Sequence, residues 1–341
     1  MKFYYAIPLA LFLAACFAAH QTTPAKETPY VGKIIRLDPA FDALVPKDAK
    51  IEKVASGFIF TEGPVWRPEG VLWFSDVPGN LVRSVTPAGQ VKVLIENAGG
   101  APVNPPRGAF IGPNGMVSDK DGAVLLCQHT NRRIVRVAKD LTMTPYIEKF
   151  EGHRLNSPND LVYRSDGSLY FTDPPYGLTR GDNDPAKELN FNGVFQYKGG
   201  QLKAVINDLN RPNGLGFSPD EKIMYVANSD ERKRFWMRYD VAPDGTVSNG
   251  RMFFDLANAT EKGIPDGLKI DLKGNVWAAG PEGVWVFSPE GKHLGTLQPG
   301  ETAANLNWGG DGKTLYITAS TSVYRIRVAV TGEKPLYQTY K

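Results

Sequence analysis

The chain has 341 residues and a net charge of +3, with 35 glycines, 26 prolines and only two cysteines. So few cysteines exclude a disulfide framework, and the small net charge, without a block of like charge, argues against a nucleic-acid partner. Two domains are usual at this length, but large all-β folds reach it as one unit. The abundance of glycine and proline suits many short strands joined by tight turns.

The first 15 residues have the pattern of a signal peptide. One lysine precedes an apolar run from Phe3 to Ala15, which is too short to span a bilayer as a mature helix. The run ends in Leu-Ala-Ala before Cys16, which resembles the bacterial lipobox and implies cleavage before Cys16 and lipid attachment to its thiol. An ordinary signal peptide with a chance cysteine is the alternative. We therefore expect export to the bacterial cell envelope or periplasm, with membrane contact through this lipid only.

The segment after Cys16 is polar and rich in threonine and proline as far as about residue 30. This composition predicts a flexible tether. We assign residues 16–45 to the lipidated cysteine and the tether, and residues 46–335 to one folded domain.

A unit of an apolar strand, an Asp/Gly/Lys turn and a second apolar or aromatic strand recurs six times, at intervals of 39 to 54 residues. The six units begin with Glu62, Asn114, Asn159, Asn213, Asp266 and Asn305. Repeats of this period predict an all-β fold, a six-bladed β-propeller with one four-stranded blade per repeat. A seven-bladed propeller with one degenerate blade is the alternative, which the count of polar starts disfavours. An extended segment at 33–37 or 51–55 could complete the last blade and close the ring.

The first strand of each propeller blade lines the central channel, so the six repeat starts should form a ring around the axis. All six of these ring residues carry carboxylate or carboxamide groups, which cost roughly 2–7 kcal/mol each to bury without partners. One divalent cation at a central metal site would satisfy them together. Oxygen ligands favour Ca²⁺, with Mg²⁺, Mn²⁺ or Zn²⁺ as alternatives. Because Asn-Gly and Asp-Gly pairs also form turns, the pairs alone could be structural, and only three or four ring residues need touch metal.

Six segments carry a resemblance to a known family. They are EGPVW at 62–66, NSPND at 156–160, FTDPPYG at 171–177, RPNG at 211–214, FSPD at 217–220 and PDGL at 265–268. Together they resemble the gluconolactonase/regucalcin (senescence marker protein) family, and FTDPPYG resembles its bacterial gluconolactonase branch. The resemblance spans nearly the whole chain after the tether. It implies a six-bladed propeller with one catalytic divalent cation that hydrolyses sugar lactones to their acids.

The resemblance also implies roles for single residues. The metal ligands would be Glu62, Asn213 and Asp266, with Asn159 beside them as a further ligand or a substrate contact. In the animal members an arginine that helps to hold the sugar acid lies two residues before this asparagine. Ser157 stands there in this chain, which leaves the particular lactone open.

Lactone hydrolysis needs a polarised carbonyl, an activated water and a stabilised oxyanion, all of which a divalent cation can supply. The sequence has no G-x-S-x-G motif for a serine nucleophile and no H-E-x-x-H motif among its four histidines. Our hypothesis is that Asp266 is both a metal ligand and the general base that deprotonates the water. Asp160 could orient a ligand or make a strand-edge hydrogen bond. The candidate substrate contacts are Asn114, Asn159, His129 and Tyr176, although a surface or turn position fits His129 equally.

Two other functions remain open, because a fold does not determine an activity. One is a metal-dependent hydrolase of aryl esters or organophosphates on the same propeller. The other is a non-enzymatic propeller that binds a sugar or a protein at the cell envelope. We expect a monomer whose partner is a small-molecule sugar lactone.

Overall fold

The structure, a computed structural model, describes residues 30–100, 110–334 and 336–338. Within these ranges the chain forms six antiparallel sheets of four or five strands, one after another along the sequence. These sheets are the blades of a six-bladed β-propeller, so the predicted all-β fold is confirmed. The helices in the described ranges are three short 3₁₀ turns, Pro39–Ala43, Lys120–Gly122 and Gly181–Asn183. None of them is long and apolar enough to cross a membrane.

We number the blades in chain order and give their strands from the channel outwards. Blade 1 consists of Thr61–Trp66, Leu72–Asp76, Leu81–Val85 and Val91–Glu96. Blade 2 consists of Pro113–Ser118, Val124–Gln128, Arg133–Val137 and Met143–Ile147. A small hairpin follows, formed by Lys149–Phe150 and His153–Arg154. Blade 3 consists of Leu161–Tyr163, Leu169–Asp173, Gly193–Lys198 and Gln201–Ile206.

In the second half of the ring, blade 4 has long strands, and blades 5 and 6 have five strands each. Blade 4 consists of Pro212–Phe217, Ile223–Asp230, Lys233–Val241 and Val247–Asp255. Blade 5 consists of Leu268–Ile270, Val276–Gly280, Gly283–Phe287, His293–Gln298 and Lys33–Arg36. Blade 6 consists of Ala303–Gly309, Thr314–Ala319, Ser322–Arg327, Ile51–Ser56 and Tyr30–Val31.

Both N-terminal segments that could close the ring take part in it. Residues 51–56 form the fourth strand of blade 6, paired with the C-terminal strand Ser322–Arg327. Lys33–Arg36 adds a fifth strand to blade 5. The two ends of the domain therefore meet in one sheet, which closes the propeller and removes an open sheet edge.

The predicted tether boundary at residue 45 was wrong. Tyr30 and Val31 already pair with the strand at 51–52, and Phe41, Leu44 and Val45 are buried in the core between blades 5 and 6. Phe41 lies in a single 3₁₀ turn, and Leu44 and Val45 directly follow it. Such a turn is too short to show a helical period in the sequence. Residues 1–29, with the predicted signal peptide and Cys16, lie outside the described residues.

The second strand of each blade forms the centre of the core. Val124–Gln128, Leu169–Asp173 and Val276–Gly280 are buried at every position. Adjacent blades cover these strands on both faces, which explains their continuous runs of apolar residues. The same packing holds the innermost strands in place around the channel, where the ring residues lie.

Candidate active site

Five of the six ring residues border one cavity of about 230 Å³ at the mouth of the channel. They are Glu62, Asn114, Asn159, Asn213 and Asp266. His129 and Tyr176 border the same cavity, so the structure brings together every metal ligand, general base and substrate contact proposed from the sequence. The wall is completed by Phe60, Phe110 and Ile264, which sequence reasoning missed. The chemical roles of these residues stay predictions.

The local structure explains why a glycine follows the ring residue in several blades. In blades 1, 2 and 4 the pairing of the first two strands shifts register at the ring residue, which is a β-bulge that re-aims its side chain. The glycine that follows lets the next inner strand approach. A Cβ on Gly63 would lie 2.1 Å from the carbonyl oxygen of Asn114, and a Cβ on Gly214 would lie 2.4 Å from that of Asp266. Turn formation alone therefore does not explain these pairs.

The three asparagines form a chain of amide hydrogen bonds along one side of the cavity. Nδ2 of Asn114 donates to Oδ1 of Asn159 at 2.9 Å, and Nδ2 of Asn159 donates to Oδ1 of Asn213 at 2.6 Å. Oδ1 of Asn114, at the end of this chain, is buried and accepts no hydrogen bond from the described residues. Because buried polar atoms rarely lack partners, this oxygen points to a ligand.

The ring carboxylates lie among other negative charges in a region shielded from water. Burial, and then the charge of Asp160, raise the pKa of Glu62 to about 7, against hydrogen bonds from Gly63 and Asn305. Although Asp266 keeps some exposed surface, loss of surrounding water raises its pKa well above the usual range, and the charges of Glu62 and Asp160 raise it further. A positive charge in the cavity would relieve this repulsion.

Asp160 lies beneath the cavity and does not border it. Its Oδ1 accepts the N–H of Leu161 at 2.8 Å. Its Oδ2 lies 3.3 Å from Nδ2 of Asn305 and 3.6 Å from Nζ of Lys269. The sixth ring residue, Asn305, therefore supports the carboxylates from below instead of facing the cavity. Lys269 was not anticipated, because no motif marked this lysine.

The donor set fits a hard divalent cation. Glu62 and Asp266 supply negative charge, and the amide oxygens supply neutral oxygen ligands of the kind Ca²⁺ accepts. In the described ranges no group of three or more His, Cys, Asp or Glu side chains is arranged to hold a metal ion. A cation in this cavity would therefore need asparagine oxygens as well as the two carboxylates.

His129 and Tyr176 offer unsatisfied polar groups on the cavity wall. His129 lies in the turn after the second strand of blade 2 and is fully buried, so the alternative of a turn position is confirmed and that of a surface position was wrong. Its Nδ1 lies 2.8 Å from the carbonyl oxygen of Phe110, and burial lowers its pKa to about 4, which leaves the ring neutral. Its Nε2 and the buried hydroxyl of Tyr176 make no hydrogen bond of normal geometry to the described residues. Both are available to a bound molecule.

Residues 60–321, which span all six repeats, match the family model described as SMP-30/Gluconolactonase/LRE-like region. The chain belongs to this family. It is 36% identical over 345 aligned positions to a gluconolactonase of Zymomonas mobilis, and the alignment covers 96% of this chain and 95% of that protein. The structure of a gluconolactonase from Xanthomonas campestris superposes with a TM-score of 0.77 at 28% identity, covering 90% of this chain and 99% of that one. Diisopropyl-fluorophosphatase of Loligo vulgaris is 23% identical, covering 85% of this chain and 95% of that protein.

In this member of the SMP-30/gluconolactonase family, Ser157 does not border the cavity. Its Oγ donates to the carbonyl oxygen of Pro174 at 2.6 Å and accepts the N–H of Gly177 at 2.8 Å, so it supports the loop that carries Tyr176. The nearest upstream arginine, Arg154, is exposed, and its guanidinium donates to the carbonyl oxygen of Asn131 at 3.0 Å. Arg154 does not border the cavity either. At the position where the animal members have an arginine, this chain therefore has a serine that supports the loop carrying Tyr176.

Proposed function

We propose that the chain is a sugar lactone hydrolase that opens an aldonolactone to its aldonic acid by attack of water on the lactone carbonyl. The observation that carries this proposal is the convergence of five oxygen-bearing ring side chains on one small cavity. His129 and Tyr176, each with a polar atom that makes no hydrogen bond of normal geometry to the described residues, border the same cavity. The near full-length similarity to a gluconolactonase supports the same reaction.

A divalent cation, Ca²⁺ in our proposal, held by Glu62, Asn159, Asn213 and Asp266, would polarise the lactone carbonyl and offset the negative charge that develops on its oxygen. Among the three clustered carboxylates, Glu62 and Asp160 are almost completely buried, whereas Asp266 keeps some exposed surface. Asp266 is therefore the carboxylate that can accept the proton of the attacking water. This supports the assignment of Asp266 as general base.

The remaining wall residues orient the substrate. The neutral ring of His129 offers Nε2 as an acceptor when Nδ1 donates to Phe110, Tyr176 offers a hydroxyl donor, and Asn114 offers its free Oδ1. These three groups suit the hydroxyls of a sugar ring. Phe60 and Ile264 add apolar surface against the carbon face of that ring and exclude water from the reacting centre.

The test is hydrolysis of D-glucono-1,5-lactone, followed by proton release and corrected for spontaneous ring opening, on protein that begins at residue 30. Metal-free protein is compared with forms given Ca²⁺, Mg²⁺, Mn²⁺ or Zn²⁺. We expect a cation to restore activity and Asp266→Asn to lower it on the order of 100-fold or more. Asp121→Asn, at an exposed turn, is the matched control. Absence of turnover on a panel of pentono- and hexonolactones, with cation bound, would refute the proposal.

Hydrolysis of organophosphates or aryl esters is the second candidate, favoured by the similarity to diisopropyl-fluorophosphatase and by the three apolar wall residues. The same assay with diisopropyl fluorophosphate and p-nitrophenyl acetate separates the two. Turnover of these compounds with no turnover of lactones would select this candidate. Cation binding without any turnover would select a binding protein.

We also propose that the protein is a monomer held in the bacterial cell envelope by a lipid on Cys16. The support is the lipobox-like sequence at 13–16. Fractionation of cells that express the full chain tests it: we expect the native chain in the membrane fraction and Cys16→Ser in the soluble fraction. Light scattering on the purified domain reports the oligomeric state.

A further inference from the structure

A second cavity adjoins the active site on the outer side of Tyr176. This rim groove, as we call it, has a volume of about 850 Å³ and lies between blades 3 and 4. Tyr176 and Ile264 border both the groove and the active-site cavity, so the two spaces adjoin each other at these two residues. The loop that ends blade 3's second strand, with the 3₁₀ turn Gly181–Asn183, forms one bank of the groove.

Three side-chain amides in the rim groove are free to bind a ligand. Asn183, Asn190 and Asn207 are exposed, and their side chains make no hydrogen bond within the part of the chain that the structure describes. Two further asparagines are held in place: Nδ2 of Asn192 donates to Oδ1 of Asp182 at 2.9 Å, and Nδ2 of Asn210 donates to Oδ2 of Asp230 at 2.7 Å. The groove thus combines a rigid frame with free amide groups.

The charges of the rim groove nearly cancel. Its lining contains four acidic and three basic side chains, and Arg211 is paired with Asp182 at 2.5 Å. A phosphate or another strongly anionic ligand would meet no net positive charge here. Amides that both donate and accept, in a groove with almost no net charge, match a neutral molecule rich in hydroxyl groups.

The volumes of the two spaces indicate which part of a ligand each of them can hold. Small-molecule sites usually measure roughly 300–1,000 Å³, so the active-site cavity, at about 230 Å³, has room for one lactone ring. The rim groove is within the usual range. We propose that the rim groove binds a sugar unit attached to the reacting lactone, and that the preferred substrates are glycosylated aldonolactones. This rests on the proposed lactonase function.

The test compares kcat/KM for D-glucono-1,5-lactone with that for cellobiono-, maltobiono- and lactobiono-1,5-lactone on the full chain. We expect at least one disaccharide lactone to be preferred about tenfold. The double variant Asn183→Ala/Asn207→Ala should lose that preference, mostly through a higher KM, and should change kcat/KM for gluconolactone less than twofold. Asn258→Ala, an exposed asparagine outside both cavities, is the matched control.

A second readout does not depend on catalysis. Binding of the unreactive disaccharides cellobiose, maltose and lactose is followed by saturation-transfer NMR, and we expect a signal with the native chain and with the control but not with the double variant. No preference for any disaccharide lactone, or equal disaccharide signals from native chain and double variant, would overturn the proposal. If none of the lactones, with one sugar unit or two, is hydrolysed, the proposed function fails, and the NMR comparison still decides whether the groove binds sugar.

Discussion

Nδ2 of Asn305 lies 3.0 Å from Oε2 of Glu62, across the junction between the first and last blades. The same nitrogen lies 3.3 Å from Asp160, which in turn faces Lys269. One amide therefore joins a carboxylate of the active-site cavity to a carboxylate and a lysine beneath it. Through this chain the positive charge of Lys269 acts on the oxygen cluster from the side opposite to the substrate.

Replacing Lys269 by methionine should therefore have two opposite effects. The metal-free protein loses the only cation paired with Asp160 among the described residues, and we expect its free energy of unfolding to fall by about 2 kcal/mol, less than for a fully buried pair because Lys269 keeps some solvent contact. Ca²⁺ binding should become several-fold tighter, because a repelling charge is gone. Urea unfolding and calorimetric titration at pH 8 measure the two effects.

Lys269→Arg is the control for that experiment, since it keeps the charge. It should leave Ca²⁺ affinity within twofold of the native value. If Lys269→Met weakens Ca²⁺ binding, the lysine does not act on the cluster by its charge.

The hydroxyl of Ser157 should stabilise the loop that carries Tyr176. Ser157→Ala leaves the carbonyl of Pro174 and the N–H of Gly177 without their partner, which should cost about 2 kcal/mol of unfolding free energy. The KM for gluconolactone should rise, because Tyr176 is less well positioned. Ser168→Ala is a matched control in the same blade: Ser168 is equally buried, but its hydroxyl has no hydrogen-bond partner among the described residues. Equal effects of the two variants would show that Ser157 has no special role.

The blades and the ring could be predicted because both depend on local patterns that recur. In each repeat the local sequence pattern predicts the strands and marks the polar residue at which the repeat begins. Closure of the propeller then places these polar residues around one axis. Phe110 and Lys269 could not be predicted in this way. Phe110 precedes the repeated unit of blade 2. Lys269 lies within a repeated unit, but the other repeats have no lysine at that position, and its ion pair with Asp160 joins two blades that are distant in sequence. The burial of Phe41 was missed for a related reason, because a single turn is too short to show a repeating pattern of apolar residues.

The buried carboxyl of Asp173 should make stability depend on pH. Burial raises its pKa to about 7 from an ordinary value of 3.8, against hydrogen bonds from the N–H groups of Asn156 and Ser157. The folded state thus holds this proton more tightly than the unfolded state, and the free energy of unfolding falls as pH rises from about 4 through about 7. Between pH 6.5 and 8.5 the deprotonation of folded Asp173 lowers the free energy of unfolding by on the order of 1 kcal/mol.

Asp173→Asn removes this titration, so its unfolding free energy should fall about 1 kcal/mol less than that of the native chain between those two pH values. Urea unfolding at both pH values measures the difference. Asp121→Asn, which changes an exposed aspartate, should keep the native slope. The histidines do not confuse the comparison, because the native chain and the variant contain the same histidines and their contribution cancels in the difference. An identical slope for Asp173→Asn and the native chain would contradict the expected pKa.

Phe41 tests whether the folded domain includes residues 30–45. The structure buries this side chain completely between blades 5 and 6, beside Trp308 and Leu297. Phe41→Ala should therefore lower the free energy of unfolding by about 3–5 kcal/mol, the usual cost of such a cavity. Leu37→Ala, four residues earlier and 57% exposed, should change it by no more than about 0.5 kcal/mol. In a flexible tether both substitutions would be neutral, so equal and small effects would restore the boundary at residue 45.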